Sequence, residues 1–435
     1  MKVLFSNPPW WDTTSGEVRA GIRAGSRWPF THRVNSRPDQ PVPMEYLPFP
    51  FFMGYAASYL ARNTVAEVQV RDSIALRESY ETYFEFVTTA QPEFIVIESA
   101  TPSWAHDEAI IRTLDKIIPD AKVIVTGPVA SARSVEILAL RNVVAAVQGE
   151  YEKGVLRAVN GEFGLIPHDL LSVAEMNAAP FPIMPTGCAE TYWDACPRGQ
   201  RAPQLQVWTS RGCPFKCIFC VWPAVMIGND PDGTSPRRVR YYSSEYMREY
   251  LREMTHAHQY GSIYLDDDTF NLSDKHTLEM CEVMREIGLP WSAMCRADTV
   301  TRETWQEMKG AGCFGVKLGF ESGNQYVVNE IVNKHLDLEA ATATVHFLKE
   351  IGMTVHGTFT VGLPGETQEQ VQDTVDFIKR LPFDSHQLSG TAEIEGTPLA
   401  TLSQKGHLDA YAGATIDKGY VSSGDGQKKI EGMSV

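Results

Sequence analysis

The chain has 435 residues, 43% of them hydrophobic and 21% charged, so it is long enough for two domains. Its formal net charge of −15 argues against nucleic acid or an anionic membrane as a partner, because both would repel it. The longest apolar region, residues 46–61, is broken by prolines and is too short for a membrane span, so we expect a soluble, cytoplasmic protein.

The first 160 residues alternate between strand and helix patterns. Short, apolar, β-branched runs predict buried parallel strands at residues 2–6, 67–71, 94–98, 122–126 and 143–148. Helical patterns lie between them, near residues 52–61, 79–89, 105–117 and 131–140. This alternation predicts a doubly wound, Rossmann-like α/β domain over residues 1–160.

An unusually long segment, about residues 11–49, follows the first strand. It contains arginines and aromatic residues, with Trp10 at its start: Trp11, Arg19, Arg23, Arg27, Trp28, Phe30, Arg33 and Arg37. Loops of this length are usually functional or disordered, and this one leaves the sheet edge where ligands bind. We expect it to contact substrate, unless its arginines only neutralise an acidic surface.

Residues 161–203 lose the alternating rhythm and carry six prolines, which predicts a linker. A second series of strands follows at residues 204–209, 262–265, 291–295, 315–318, 354–361 and 386–388. Ser243, Ser273 and Thr301 provide N-cap signals for the intervening helices. Six βα units are too few for a closed eight-stranded barrel, so we predict a partial (β/α)6 barrel over residues 204–400. Residues 401–435 are expected to pack weakly or to be disordered.

Three of the eight cysteines, Cys213, Cys217 and Cys220, lie close together in the loop after the first barrel strand. Thiolates at this spacing can turn toward one centre, and soft sulfur ligands suit an iron–sulfur cluster or zinc. Three cysteines leave one iron of a cubane without a protein ligand, whereas a structural zinc site needs a fourth ligand. The other five cysteines are expected to be small buried hydrophobes.

Charged groups follow the next two barrel strands. Asp266, Asp267 and Asp268 would accommodate an ammonium group, because consecutive acids repel one another without a cation. The alternative is a solvated turn that caps the helix beginning near Ser273. Arg296 could bind a carboxylate through a bidentate pair, or could form a surface ion pair.

The CxxxCxxC loop, with Phe219 before its last cysteine, resembles the radical S-adenosylmethionine (SAM) superfamily over residues 204–400. The resemblance implies that the three cysteines bind a [4Fe–4S] cluster whose fourth iron SAM chelates, and that SAM cleavage yields a 5′-deoxyadenosyl radical. It also implies an electron donor such as flavodoxin or ferredoxin. The residues it assigns to the SAM pocket are Phe219, Asp266, Asp267, Asp268, Arg296, Glu321, Ser322, Gly362 and Pro364.

The N-terminal domain resembles the cobalamin-binding domain of one radical SAM subclass, through residues 3–9, 126–131 and 148–152. The resemblance implies a cobalamin site that includes Asn7, Pro8, Pro9, Gly127 and Ser131. The chain departs from the DxHxxG pattern of histidine-ligated cobalamin domains, because Asp72 is followed by neither that histidine nor that glycine. Cobalt would therefore be bound without a histidine, or the domain is a scaffold that has lost its cofactor.

Together the resemblances imply a biosynthetic radical SAM enzyme that acts on a small polar, sugar-like or natural-product substrate. Two reactions stay open. One is cobalamin-dependent C-methylation. The other is a cobalamin-independent radical dehydration or rearrangement, as in the aminoglycoside diol dehydratase of apramycin biosynthesis. The alternative of another class is a non-enzymatic iron–sulfur or zinc redox sensor, which would need no cofactor pocket. The sequence assigns no residue to completing the radical chemistry.

Overall fold

The computed structural model describes residues 1–12, 19–22, 24, 30–33, 46–228, 233–234, 236–391, 393–404 and 420–421. The chain divides into two compact units, each formed from more than one segment. The first contains Met1–Tyr192, Val221–Ser235 and Ile394–Ala400. The second contains Trp193–Cys220, Pro236–Glu393 and Thr401–Val435.

The first unit is an α/β domain. Its strands are β1 (Lys2–Asn7), β2 (Trp11–Asp12), β3 (Arg19–Ile22), β4 (Phe30–Arg33), β5 (Tyr46–Leu47), β6 (Glu67–Asp72), β7 (Phe94–Glu98), β8 (Lys122–Thr126), β9 (Val143–Val147) and β10 (Gly164–Ile166). Its helices are α1 (Phe51–Asn63), α2 (Tyr80–Ala90), α3 (Trp104–Ile117), α4 (Pro128–Ala132), α5 (Ser134–Leu138), α6 (Glu152–Val159) and α7 (Val173–Ala178).

Six of these strands form one parallel sheet, in the order β10-β9-β8-β7-β1-β6. The predicted doubly wound domain and its five predicted strands are confirmed. Strand β10 was not predicted, because three residues are too few for a periodic signal. β1 lies between β6 and β7, so the strand order reverses beside β1. In open α/β sheets, ligands bind outside the carboxyl ends of the strands at such a reversal.

The long segment after β1 contains an antiparallel three-stranded sheet, β2-β3-β4. Gly21 in β3 packs directly on Trp10: a Cβ atom at Gly21 would lie 1.9 Å from the indole ring. Only a residue without a side chain fits there. The side chains of the segment's arginines lie outside the described part of the chain, so their predicted contact with substrate stays a prediction.

The second unit repeats strand and helix around a second sheet. Its strands are β11 (Trp193–Asp194), β12 (Gln204–Val207), β13 (Ser210–Arg211), β14 (Arg240–Tyr241), β15 (Ser262–Leu265), β16 (Trp291–Cys295), β17 (Cys313–Glu321), β18 (Thr354–Val361), β19 (Ser385–Gly390) and β20 (Tyr420–Val421). Its helices are α8 (Ser244–Ala257), α9 (Asp274–Ile287), α10 (Arg302–Gly310), α11 (Leu338–Glu350) and α12 (Gln368–Arg380), and α13 (Pro398–Gln404) crosses from the first unit into the second.

The sheet order is β12-β15-β16-β17-β18-β19-β20. The first six strands are parallel and each is followed by a helix, which confirms the predicted partial (β/α)6 barrel. β20 pairs antiparallel with β19; the rest of the tail beyond Gln404 lies outside the described residues. Ser243, Ser273 and Thr301 cap α8, α9 and α10 through side-chain oxygens, as predicted. None of the described helices has the length and apolar composition that a membrane crossing requires.

Candidate functional site

The loop that carries the three cysteines is tied to the rest of its unit through its backbone. β13 leads into the loop, and Gly212 turns it with a φ of +95°, a conformation that favours glycine. The Gly212 N–H donates to Asp268 Oδ2 at 3.1 Å. Further along, Ile218 N–H donates to the Val332 carbonyl at 3.0 Å. The loop is therefore held between the end of β15 and the segment after β17.

The three thiols lie within electrostatic reach of one another. Burial raises the pKa of Cys213 to about 11, and Asp268 and Cys217 add to the rise. Burial also raises the pKa of Cys217, and it raises that of Cys220 well above its ordinary value, with contributions from Asp268, Cys217 and Cys213. Thiols this hard to ionise become thiolates when cationic irons replace their protons. This donor set fits an iron–sulfur cluster.

Among the residues that the structure describes, no three His, Cys, Asp or Glu side chains converge on a single metal ion. A cubane does not require that convergence, since each thiolate binds a different iron. Four of the five scattered cysteines, Cys188, Cys281, Cys295 and Cys313, are buried, as predicted, and Cys196 is half-buried. Phe219, beside Cys220, is also buried.

The three acids after β15 occupy three different surroundings. Asp267 is fully buried and accepts hydrogen bonds from Thr209 N, Thr209 Oγ1 and Ser210 Oγ. Asp268 binds the cysteine loop through Gly212. Asp266 is 5% exposed, and its negative charge helps to raise the pKa of the nearby Lys317 ammonium group. The acids do not form a solvated capping turn, because Asp266 and Asp267 are buried. They tie the end of β15 to the loop that follows β12.

Arg296, after β16, is buried and has several partners. Its guanidinium donates to both carboxylate oxygens of Asp298, at 2.6 and 3.0 Å, and to the His335 carbonyl at 2.8 Å. The same group lies 3.7 Å from the ring centroid of Phe215, inside the cysteine loop. Arg296 therefore supports the loop by a cation–π contact and is not a surface ion pair.

Glu321 and Ser322, at the end of β17, face different partners. Glu321 has a φ of +69° and accepts from Lys334 Nζ at 2.8 Å and Thr360 Oγ1 at 3.1 Å. Burial lowers the pKa of Lys334, but Glu321 and Cys217 outweigh it and hold that pKa above its ordinary value. Ser322 is buried and shares a hydrogen bond with Thr374 of α12. Sequence reasoning missed Lys334, because no spacing rule links it to a cysteine loop so far upstream.

The turn after β18 contains Gly362 and Pro364. Glu366 closes it by accepting from the N–H groups of Gly362 and Leu363, at 2.9 and 3.2 Å. Burial raises the pKa of Glu366 to about 7. Gly362 and Gly365 both have positive φ values, so this backbone could not form with ordinary side chains at those positions without strain. Sequence reasoning missed Glu366 as well.

In the first unit, polar groups gather at the carboxyl ends of β1 and β6. Asn7 Nδ2 donates to Asp72 Oδ1 at 2.9 Å, and the N–H groups of Ile74 and Ala75 donate to the same oxygen. The Tyr192 hydroxyl donates to Asp72 Oδ2 at 3.2 Å. Burial, opposed by these hydrogen bonds, raises the pKa of Asp72 to about 6. Asp72 thus closes its own turn, without the histidine of the DxHxxG pattern.

Two of the residues assigned to a cobalamin site carry buried polar atoms without a hydrogen-bond partner in the described part of the chain: Asn7 Oδ1 and Ser131 Oγ. Pro8 and Pro9 are buried beside Asn7. Gly127 has a φ of +87°, and a Cβ atom there would lie 2.4 Å from the Ser99 carbonyl oxygen. Buried polar atoms without partners are costly, and the amide groups of a corrin ring could satisfy them. These residues fit such a ligand.

Residues 208–378 match the sequence model of the radical SAM superfamily. An uncharacterized methyltransferase of Pyrococcus horikoshii is 25% identical over 374 residues, which cover 80% of this chain and 77% of that protein. Cytidylyl-2-hydroxyethylphosphonate methyltransferase of Streptomyces wedmorensis is 29% identical over 252 residues, 53% of this chain but only 44% of that protein.

Among solved structures, the chain is similar to the radical SAM methyltransferase TsrM of Kitasatospora setae with cobalamin and a [4Fe–4S] cluster bound. The TM-score is 0.62 at 16% identity, and the match covers 81% of this chain and 71% of that one. At this identity the likeness establishes the shared fold.

Proposed function

We propose that this chain, which matches the radical SAM superfamily over residues 208–378, is a radical SAM enzyme with an N-terminal cobalamin-binding-like domain, and that it methylates a carbon atom of a small polar substrate. Its cofactors would be a [4Fe–4S] cluster, SAM and cobalamin. The observation that carries the proposal is the pair of buried polar atoms that have no hydrogen-bond partner among the described residues, Asn7 Oδ1 and Ser131 Oγ, because the amide groups of a bound cobalamin could satisfy them. The hydrogen bond between Gly212 and Asp268, which joins the three-thiol loop to the strand-end acids, supports the cluster and SAM part of the proposal.

When bound, the cluster would supply the electron that cleaves SAM to a 5′-deoxyadenosyl radical, and methylated cobalamin would supply the methyl group. The chain's own residues would bind and orient these cofactors. Asp266 and Glu321 would accept hydrogen bonds from SAM, and the turn at Gly362 and Pro364 would contact its adenine through backbone. Arg296 and Lys334, two of the buried cations near Cys217, would be shared between the SAM carboxylate and their partners Asp298 and Glu321. A flavodoxin or ferredoxin would serve as the external electron donor.

A second candidate function is a cobalamin-independent radical dehydration or rearrangement. The observation that favours it is the closed turn at Asp72, whose carboxylate is already engaged by Asn7, Ile74, Ala75 and Tyr192. A domain with this turn could act as a scaffold only. The two candidates share the cluster and the SAM pocket and differ in the use of cobalamin.

Product counting separates them. Reconstituted protein, desalted after loading with hydroxocobalamin, is reduced and incubated with SAM and a fraction of small polar metabolites. Methylation that abstracts hydrogen consumes two SAM molecules and should yield 5′-deoxyadenosine and S-adenosylhomocysteine in equal amounts. 5′-Deoxyadenosine alone, from protein that retains no cobalamin, would contradict methylation and support the second candidate. Formation of neither product would contradict both.

A further inference from the structure

Arg237 lies against the cysteine loop. β14 pairs antiparallel with β13, so the residues that precede β14 run beside the residues that follow β13. This pairing brings Arg237 next to Phe215, which stands between Cys213 and Cys217 in the chain. Its Nη1 donates to the Phe215 carbonyl at 2.6 Å, and the residue is 9% exposed. The next residue, Arg238, is exposed.

The Phe215 carbonyl that accepts this hydrogen bond lies two residues from Cys213 and two residues from Cys217, so the guanidinium of Arg237 is held against the backbone that joins two of the proposed cluster ligands. Two other buried cations near the loop, Lys334 and Arg296, lie among the residues proposed to bind SAM, so a change at either would alter SAM binding as well as charge.

We propose that Arg237 sets the reduction potential of the cluster by placing a buried positive charge against the loop between its cysteine ligands. The inference rests on the proposed function, because it requires a [4Fe–4S] cluster at these thiols. One electron from an external low-potential reductant converts the cluster from the 2+ to the 1+ state. A nearby cation stabilises the more negative, reduced state, so it raises the midpoint potential. Arg237 is a positioning residue, since it acts through the cluster and not on substrate.

The test compares reconstituted wild type with Arg237→Gln, Arg237→Lys and the control Arg238→Gln. The control removes the same charge from an adjacent, exposed position. Midpoint potentials are measured by redox titration with electron paramagnetic resonance detection, alongside iron content. Arg237→Gln should shift the one-electron equilibrium about tenfold toward the oxidised cluster, which is a fall of about 59 mV in midpoint potential. Arg237→Lys and Arg238→Gln should stay close to wild type.

Equal midpoints for wild type and Arg237→Gln, with full iron in both, would overturn the inference and leave the proposed function intact. Absence of a cluster in the wild type would overturn the proposed function itself. If Arg237→Gln loses its iron, the lysine variant distinguishes a charge effect from a need for the guanidinium. A cluster retained in Arg237→Lys, with a midpoint potential near that of the wild type, supports a charge effect. Loss of iron from the lysine variant too would overturn the inference, because the loop would then need the guanidinium hydrogen bond and not the charge.

Discussion

Lys334 Nζ lies 2.8 Å from Glu321 Oε1, and both side chains are nearly buried beside Cys217. The segment that carries Lys334 also binds the cysteine loop, through the Asn333 side chain and the Lys216 carbonyl at 3.1 Å. The ion pair therefore links the end of β17 to the loop. A buried pair of this kind is costly to break from one side, because the remaining charge stays desolvated.

Replacing Lys334 with Met should lower the free energy of unfolding of the metal-free protein by about 3 kcal/mol, since Glu321 is left as a buried unpaired charge. The matched control is Lys349→Met. Lys349 pairs with Asp384 at 2.6 Å, but both side chains are about a quarter exposed, so its loss should cost less than about 1 kcal/mol. Urea denaturation measures both. Equal costs would contradict the buried character of the first pair.

Asp267 should make stability depend on pH. Burial, opposed by hydrogen bonds from Ser210 and Thr209, raises its pKa from 3.8 to about 7. Between pH 3.8 and about 7 the folded protein keeps a proton on Asp267 that the unfolded chain releases. The contribution of the protonated Asp267 to stability is therefore complete below pH 3.8 and is lost as pH rises through about 7. Asp267→Asn keeps the acceptor oxygen and never ionises.

The free energy of unfolding of Asp267→Asn, minus that of wild type, should therefore rise with pH across this window, by at most about 1.4 kcal/mol per pH unit. Denaturation series at several pH values measure the difference. Asp120→Asn, which changes an exposed carboxyl group, serves as the control and should show no such trend. A difference that does not change with pH would contradict a raised pKa at Asp267.

Alanine substitutions at Gly127 and Gly161 should distinguish the cost of backbone strain from the cost of a steric clash. Both have positive φ values, but a Cβ atom at Gly161 meets nothing within 4 Å, whereas at Gly127 it would strike the Ser99 carbonyl. Gly161→Ala should cost about 1 kcal/mol from the left-handed backbone alone, and Gly127→Ala at least about twice that. Thermal unfolding measures both losses. If the two variants unfold at the same temperature, the ends of β7 and β8 do not approach as closely as described.

Substitutions of Asp268 and Asp266 should affect cluster binding and SAM binding separately. Asp268→Ala removes the acceptor of the Gly212 N–H and should lower the iron content after reconstitution. Asp266→Ala leaves that contact intact and should weaken SAM binding about tenfold, the loss expected for one charge-assisted hydrogen bond, with iron unchanged. Asp376→Ala, at an exposed position on α12, is the control. Normal SAM affinity in an unstable Asp266→Ala protein would indicate a structural role instead.

Much of the fold could be predicted from the sequence. The bounds of β7, β8, β15, β16 and β18 match the predicted runs, because short apolar segments between helical patterns have few alternatives. Hydrogen bonds between distant loops could not be predicted. Lys334 and Arg237 reach the cysteine loop only through strand pairing and the course of the chain after β17. The acids at 266–268 were found as a group, but their separate partners depend on how each side chain turns after the strand ends.

Cys213, Cys217 and Cys220 are proposed to bind a [4Fe–4S] cluster that SAM approaches. The most direct measurement is the electron paramagnetic resonance spectrum of anaerobically reconstituted, reduced protein, recorded with and without SAM and accompanied by iron analysis. We expect about four irons per chain, a cubane signal whose shape changes with SAM, and loss of both when all three cysteines become Ala. Cys196→Ala, outside the loop, should behave as wild type. Iron retained by the triple variant, or a wild-type signal that SAM leaves unchanged, would contradict this proposal.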